Sequence, residues 1–234
     1  EERPEVVLLD DGFQHRYVQP SFNILLIDAQ RELHDDELLP LGGLREPATA
    51  RYRADCIILT KCSADISPIQ LRIMQRNLAL YPHQQIFFSR IQYLAPRPLR
   101  SLCEADERTL SEGTQVLAFS GVASPAPFLS YLREQYELVD ELTYRDHHLF
   151  TSSDLHEIER AWREAQAKTP ATPLYVITTE KDAVRLADSY TSLAEDFRSH
   201  LFFLPITTEI LFKPESFQQM IHKVAVALPR SLQY

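Results

Sequence analysis

The sequence is short of cysteine and of long apolar runs, and it has fewer cations than anions. The three cysteines, Cys56, Cys62 and Cys103, follow no metal-ligand spacing, and their odd number argues against a disulfide framework. We expect the first two to be buried in a core and the chain to work in a reducing compartment. No signal-peptide pattern and no membrane-spanning apolar run occurs. A formal charge of −9 argues against nucleic acid as a partner, because non-specific binding needs clustered cations.

Short runs rich in Val, Ile and Leu alternate with helical patterns, which predicts an α/β fold with buried parallel strands. The predicted strands are 6–10, 24–28, 56–60, 116–120 and 175–179. The predicted helices are 68–81, 126–136, 153–168 and 214–228, and 86–99 and 206–212 are predicted to be extended. Each strand ends in polar residues, at the edge where open α/β sheets bind ligands.

A proline-containing stretch divides the pattern in two. We predict a first α/β unit over 1–83, an extended linker over 84–113, a second, smaller α/β unit over 114–205, and a returning strand and terminal helix over 206–234. The chain begins at Glu1, directly before an apolar segment. That start is expected for a cut within a longer protein or for a shortened version of one.

The first candidate site is Asp-Asp-Gly-Phe-Gln-His, residues 10–15, which follows the predicted strand 6–10. Adjacent carboxylates at a strand end are typical of the Walker B element of P-loop enzymes, where hard oxygen ligands hold Mg²⁺ beside phosphates. Successive strand residues point to opposite sides, so one carboxylate can face a metal while the other orients water or backbone. The structural alternative is a turn in which aspartate accepts hydrogen bonds from backbone N–H groups.

The second candidate is the loop 38–47. Its glycine pair, Gly42 and Gly43, is a weak phosphate-binding signal without a following Gly-Lys-Ser/Thr. Arg45 and Glu46, between the glycines and a proline, predict a fixed loop, and an ordinary ion pair between them is the alternative.

The third candidate, 144–150, contains Asp146, His147 and His148. Adjacent histidines rarely converge on one zinc ion, so a catalytic histidine held by a carboxylate is the favoured functional interpretation, against a structural histidine at a helix start. The fourth, 178–186, places Lys181 and Arg185 one turn apart after a strand. Phosphate contact and helix capping are both open there.

Five segments, in this order, resemble the tetraacyldisaccharide 4'-kinase family, the lipid A 4'-kinases of Gram-negative bacteria. They are Leu-Leu-Asp-Asp-Gly-Phe-Gln-His at 8–15, Leu-Leu-Pro-Leu-Gly-Gly-Leu-Arg-Glu-Pro at 38–47, Ala-Phe-Ser-Gly-Val-Ala-Ser-Pro at 118–125, Asp-His-His-Leu-Phe at 146–150 and Thr-Glu-Lys-Asp-Ala-Val-Arg at 179–185. The resemblance implies a P-loop-kinase-like α/β/α core, of which 1–83 is the remainder, and a second α/β/α domain joined to it by a two-stranded β linker.

The activity implied by the resemblance is transfer of the ATP γ-phosphate, with Mg²⁺, to the 4'-hydroxyl of tetraacyldisaccharide 1-phosphate. The product is lipid IVA, made at the cytoplasmic face of the inner membrane, which the parent protein reaches through an N-terminal segment.

The resemblance also implies roles for individual residues. It assigns Asp10 and Asp11 to metal binding, and Asp11 also to catalysis. It assigns Gln14, Arg45 and Glu46 to nucleotide binding. His147 and Asp146 are assigned to catalysis, in which His147 supports an aspartate that acts as the base. We expect these elements to converge on one cleft at the strand ends.

The chain departs from the family in one large respect: neither a Gly-x-x-x-x-Gly-Lys-Ser/Thr nor the base aspartate that the family carries upstream of Asp10 occurs in it. The backbone amides and lysine of that loop supply most contacts to the β- and γ-phosphates. We therefore expect this fragment alone to be inactive. Two alternatives are a GTPase-like P-loop remnant, with Thr60-Lys61 where a guanine-reading Asn-Lys-x-Asp would stand, and a non-catalytic binding module.

Overall fold

The computed structural model of the protein describes residues 6–31, 37–63, 65–102, 106–187, 189–190 and 193–227. The chain forms two compact units, which we call unit 1 (1–91 and 208–234) and unit 2 (92–207). Both contain parallel strands covered by helices, which confirms the predicted α/β fold class. The domain boundaries predicted from the sequence stay a prediction, and the extended segment within the predicted linker is a strand of the first sheet.

Unit 1 is built around a sheet with strand order β1-β2-β3-β9. Its strands are β1 (Ile24–Asp28), β2 (Cys56–Thr60), β3 (Gln85–Tyr93) and β9 (Ile206–Leu211). The pairs β1–β2 and β2–β3 are parallel, and Asp28 lies beside Thr60 at the carboxyl end. The helices are α1 (Pro68–Asn77) and α6 (Pro214–Ala227), with a 3-10 turn at Ala48–Arg53.

Strand β2 shows why this sheet is covered on both faces. Its residues alternate in direction, so Ile57 and Leu59 join a cluster with Leu71 of α1, whereas Cys56 and Ile58 join one with Met220 of α6. An apolar run with no polar face can only be accommodated between two layers.

Unit 2 contains a five-stranded sheet with the order β4-β8-β7-β5-β6. The strands are β4 (Arg97–Pro98), β5 (Gln115–Ser120), β6 (Glu137–Thr143), β7 (Tyr175–Thr179) and β8 (Leu201–Leu204). All pairs are parallel except β4–β8. The helices are α2 (Ala126–Gln135), α3 (Ser152–Lys168), α4 (Glu180–Leu186) and α5 (Glu195–Ser199), with a 3-10 turn at Leu99–Leu102.

The central strand of unit 2 divides its side chains between two cores. Val116 and Ala118 pack with α2, whereas Leu117 and Phe119 pack with α3, α4 and α5 around Trp162. Unit 2 is therefore a three-layer α/β/α sandwich, in which the strand ends and the loops after them remain free for a site.

The predicted strand at 6–10 is wrong. The structure shows irregular chain and turn there, and no strand of the described residues pairs with it. Its side chains are exposed, and Leu8 is 91% exposed. A strand needs a neighbouring backbone to satisfy its N–H and C=O groups, and apolar composition alone does not supply one.

The two cysteines of the described residues, Cys56 and Cys62, are buried and free, as predicted. Burial raises the pKa of the Cys56 thiol to about 12, and the Asp55 charge adds to the effect, so the thiolate is disfavoured. Cys103 and the predicted helix end at Leu228 lie outside the described residues. Among the helices the structure describes, none has the length and apolar character to cross a bilayer.

Candidate functional site

The first candidate segment forms a tight turn in unit 1. Asp11 adopts a left-handed conformation (φ 47°), and the His15 N–H donates to the Gly12 carbonyl at 3.0 Å. Gln14 donates from Nε2 to the Asp11 carbonyl at 2.7 Å. A Cβ at Gly12 would lie 2.4 Å from Cγ of Leu9, so a larger residue there would have to displace the Leu9 side chain.

The second candidate segment is joined to the first by an ion pair. Arg45 Nη1 lies 2.8 Å from Asp11 Oδ2. Arg45 is aimed by a closed loop, in which the Leu39 N–H donates to the Leu44 carbonyl at 2.9 Å and the Leu44 N–H to the Glu37 carbonyl at 3.0 Å. The two side chains are 53% and 69% exposed, so this pair is open to water and to an incoming ligand.

Glu46 pairs with Arg53, whereas its neighbour Arg45 pairs with Asp11. Its carboxylate pairs with Arg53, at the end of the 3-10 turn Ala48–Arg53. The same guanidinium lies over the Phe13 ring, 4.5 Å from its centroid. Phe13 and Glu46, from the two motifs, are thus held together through one arginine.

Asp10 and Asp11 offer hard oxygen donors that suit Mg²⁺. Asp10 is exposed, and Asp11 carries one carboxylate oxygen on Arg45. No group of three His, Cys, Asp or Glu side chains in the described ranges could hold a metal ion. Asp10 and Asp11 therefore fit Mg²⁺, which usually binds through one or two carboxylates, water and substrate phosphates. They do not fit a metal that must be surrounded by protein ligands alone.

A cavity of about 330 Å³ lies at the carboxyl ends of β1 and β2 in unit 1. Its lining includes Ala29, Lys61, Ser63 and Gln70. Lys61 Nζ is 2.7 Å from Asp28 Oδ2. Desolvation acts to raise the pKa of Asp28, but the hydrogen bonds from Lys61 and from the Gln30 N–H hold that pKa below its ordinary value. The cavity is at the strand ends where such sheets bind ligands.

The third candidate segment follows β6 in unit 2. His147 has a left-handed backbone (φ 57°), and its N–H donates to Asp146 Oδ1 at 2.9 Å. Its Nε2 lies 3.5 Å from Asp146 Oδ2, and Lys181 Nζ lies 3.5 Å from Asp146 Oδ1. Desolvation acts to raise the pKa of Asp146, but the hydrogen bond from the His147 N–H and the Lys181 ammonium hold that pKa below its ordinary value. His147 is 74% exposed, as a group that meets a ligand must be.

The neighbouring His148 is a structural residue. Its Nε2 lies 3.0 Å from Asp154 Oδ2, and its ring stacks on Tyr144 with centroids 4.8 Å apart. Asp154 also accepts from the Thr151 N–H and hydroxyl in the capping box of α3. Both alternatives weighed for this segment therefore occur, on adjacent histidines: the one at the helix start is packed and the other is exposed.

Sequence reasoning singled out Arg185 of α4 but not its contact with His147, and it missed Asp182. Arg185 Nη2 lies 3.1 Å from His147 Nδ1, and Arg185 Nη1 lies 3.2 Å from Oδ1 of Asp182. Asp182 is fully buried, and its Oδ2 accepts from the Gly121 N–H at 2.9 Å and the Thr179 hydroxyl at 2.7 Å. The signal was present in the fourth segment, where the aspartate and the arginine are one turn apart.

Each unit thus brings together part of the predicted set. Unit 1 joins Asp11, Gln14 and Arg45, and unit 2 joins Asp146 and His147. The expectation that all of them serve one cleft stays a prediction.

The chain is similar in sequence to tetraacyldisaccharide 4'-kinases. The sequence profile described as Tetraacyldisaccharide-1-P 4'-kinase matches residues 1–226. The Tetraacyldisaccharide 4'-kinase of Parabacteroides distasonis is 44% identical over 225 residues, and that of Porphyromonas gingivalis is 41% identical over 216 residues. These alignments cover 94% and 92% of the chain, which spans 59% of the length of either relative.

The fold has a counterpart among solved structures. A crystal structure of LpxK from Aquifex aeolicus in complex with ATP matches with a TM-score of 0.58 and 21% identity, over 92% of this chain and 56% of that one. At that identity the likeness bears on the fold alone.

Proposed function

Because this chain belongs to the tetraacyldisaccharide-1-P 4'-kinase family, we propose that it is part of an ATP-dependent kinase that phosphorylates the 4'-hydroxyl of tetraacyldisaccharide 1-phosphate to give lipid IVA. One observation supports this most strongly: the family match extends over 1–226 and includes all five motif segments in order. The contact between Arg45 and Asp11 supports it independently, because it joins the first two segments, which are far apart in the sequence.

We assign the phosphate-facing chemistry to unit 1. Asp10 and Asp11 would hold Mg²⁺, which when bound neutralises charge on the transferring phosphate. Arg45, exposed and one contact away from Asp11, would bind phosphate oxygens through its guanidinium donors. Gln14 and Glu46 would contribute to nucleotide binding; Gln14 also donates to the Asp11 carbonyl, and Glu46 also pairs with Arg53.

We assign the support of proton transfer to unit 2. His147 would hydrogen-bond an aspartate that accepts the proton of the sugar hydroxyl, and Asp146 fixes the backbone of His147. Phosphoryl transfer depends mostly on positioning and charge neutralisation, so a held and exposed imidazole is sufficient for this role.

The proposed acceptor is a lipid, so we place the reaction at the cytoplasmic face of the inner membrane. Tetraacyldisaccharide 1-phosphate carries four acyl chains, and burying apolar chains in a bilayer is strongly favourable. Only its sugar has to reach the strand ends of the protein.

We further propose that these 234 residues do not transfer phosphate by themselves, because no Gly-x-x-x-x-Gly-Lys-Ser/Thr occurs in them. The test uses a chimaera, in which this chain replaces the matching portion of the Parabacteroides distasonis relative. Transfer of radiolabelled phosphate from ATP to purified tetraacyldisaccharide 1-phosphate is measured for the relative, the chimaera and the chain alone.

We expect transfer by the relative and the chimaera and none by the chain alone. A folded chimaera that binds the lipid without transferring phosphate would overturn the kinase assignment in favour of a non-catalytic binding module. Transfer by the chain alone would overturn the requirement for the phosphate-binding loop.

A further inference from the structure

The side chains beside His147 include one strong cation that the proposed reaction leaves without a role. Arg185 Nη2 lies 3.1 Å from His147 Nδ1. Arg185 comes from α4 and His147 from the loop after β6, so the contact joins two elements that are 38 residues apart. Its chemistry restricts the imidazole in a way that the sequence does not show.

A guanidinium group has five N–H donors, no acceptor, and does not lose its proton in proteins. At 3.1 Å from Arg185, Nδ1 of His147 can therefore only be the acceptor. A neutral imidazole carries its single proton on the other nitrogen, which is Nε2. The contact is compatible with one of the two neutral tautomers and incompatible with the doubly protonated ring.

The Arg185 side chain is itself held in place by an ion pair with Asp182. Its Nη1 lies 3.2 Å from Oδ1 of Asp182, whose carboxylate is fully buried against the Gly121 N–H and the Thr179 hydroxyl. The Arg185 side chain is only 21% exposed. A buried carboxylate that is fully hydrogen-bonded gives the guanidinium a fixed direction.

The close approach of these elements depends on Gly121, at the end of β5. A Cβ on Gly121 would lie 3.1 Å from Cβ of His148 and 3.4 Å from Oδ1 of Asp182. His147 meanwhile keeps a left-handed backbone, a conformation that a residue other than glycine holds only when its surroundings fix it. Backbone and ring are thus both positioned.

We propose that Arg185, anchored on the buried Asp182, is a positioning residue that holds His147 as the neutral Nε2–H tautomer. The consequence for the reaction rests on the proposed function: His147 presents a hydrogen-bond donor, and so acts on a carboxylate rather than taking the sugar proton itself. Asp146 Oδ2 lies 3.5 Å from Nε2 of His147, on the side of the ring opposite to Arg185.

The first experiment needs no kinase activity. The 234-residue chain is labelled with ¹⁵N-histidine, and long-range ¹H–¹⁵N correlations report which ring nitrogen of His147 carries the proton, with His147→Ala used for assignment. We expect only the Nε2–H pattern at neutral pH, and in Arg185→Met a shift of the Nδ1 resonance towards that of an imidazole nitrogen without a donor. Fluorescence of Trp162, the single tryptophan, confirms that each variant is folded.

The matched control is Arg163→Met, which removes an arginine that pairs with Glu159 on α3 and leaves the His147 resonances unchanged. A proton on Nδ1 in the unsubstituted chain would overturn the proposal without any variant. An Nδ1 resonance that does not move in a folded Arg185→Met chain would overturn it as well.

The second experiment measures kinetics in the chimaera. Arg185→Met should lower kcat by roughly 10- to 100-fold, the range known for groups that orient a metal-binding histidine through its other ring nitrogen, with KM for ATP unchanged. A raised KM with unchanged kcat would contradict a positioning role. If the unsubstituted chimaera is inactive, the proposed kinase function fails, while the nuclear magnetic resonance result still decides the role of Arg185.

Discussion

The two units hold their candidate side chains in opposite ways. In unit 1, Asp11 and Arg45 form a pair that is mostly exposed, on a turn and a closed loop. In unit 2, His147 is held through Arg185 by a carboxylate that is fully buried at the strand ends. Exposed ion pairs contribute little to stability and exchange partners easily, whereas a buried and satisfied carboxylate fixes geometry.

This difference suits the roles proposed for the units. Groups that bind Mg²⁺ and phosphate must release their protein partner when the ligand arrives, and a weak pair allows that. A histidine that directs a proton acceptor needs a fixed ring, because small misplacement costs much of the rate. We therefore expect substitutions in unit 1 to act on chemistry with little effect on folding, and substitutions beneath His147 to act on both.

The largest effect is expected from Asp11→Asn in the chimaera. A neutral amide cannot balance the charge of Mg²⁺ at the phosphates, so kcat should fall more than in His147→Ala. For His147→Ala we expect a loss on the order of 10²–10⁴-fold, typical of lost acid–base assistance. Both values come from radiolabelled phosphate transfer, and full activity of Asp11→Asn would remove the metal-site assignment.

The next effect concerns stability. Asp182→Ala leaves the Gly121 N–H and Arg185 without their partner, and we expect a loss of about 3 kcal/mol in the free energy of unfolding, near the lower end for a broken buried pair because Arg185 reaches solvent. Asp11→Ala, the unit 1 counterpart, should cost at most about 1 kcal/mol. Urea unfolding measures both, by Trp162 fluorescence for unit 2 and by circular dichroism for the chain. Equal losses in the two variants would erase the contrast between the units.

The helix caps provide a comparison between equivalent features. Ser67 in unit 1 and Thr151 in unit 2 each close a capping box, on α1 and α3. Substitution by alanine should lower the free energy of unfolding by about 1 kcal/mol at Ser67 and by somewhat more at Thr151. The reason is that the Asp154 carboxylate, which Thr151 fixes, also binds His148. Urea midpoints measure this. Thr151→Ser, which keeps the hydroxyl, should recover most of the loss, and a larger loss at Ser67 would contradict the ranking.

The smallest effect is a pH dependence from Asp154. The Thr151 N–H and then the Thr151 hydroxyl hold the pKa of Asp154 below its ordinary value in the folded chain. A lowered folded-state pKa contributes stability that is present above the ordinary pKa of about 4 and lost as the pH falls through the folded-state value. Between pH 5 and pH 3 the unfolding free energy should fall less in Asp154→Asn than in the unsubstituted chain. Glu134→Gln, at an exposed position of α2, is the charge-matched control and should keep the original slope.

Strands buried on both faces were predictable from the sequence. Cys56–Thr60 and Tyr175–Thr179 have their predicted bounds, because their consecutive apolar residues, which alternate between the two faces of a sheet, are stable only between two layers. Glu137–Thr143 was missed, since its charged residues carry no apolar alternation. It is an edge strand whose pairing comes from the backbone of β5. The strand predicted over the apolar run 6–9 does not form, because no strand in the described chain pairs with that run.

The candidate site, like the fold, was predictable from the sequence only in part. The sequence by itself determined which residue types are available: paired carboxylates after an apolar segment, an arginine and a glutamate in a glycine-containing loop, and two histidines beside an aspartate. These follow from local chemistry and chain order, which a sequence contains in full.

Only the tertiary structure decided which histidine is packed and which is exposed, and that Arg185 reaches His147 from another element. The physical reason is that a tautomer is selected by the donor that arrives at a ring nitrogen. Here that donor is brought by the parallel pairing of β5 with β6 and β7, between residues that lie tens of positions apart in the chain.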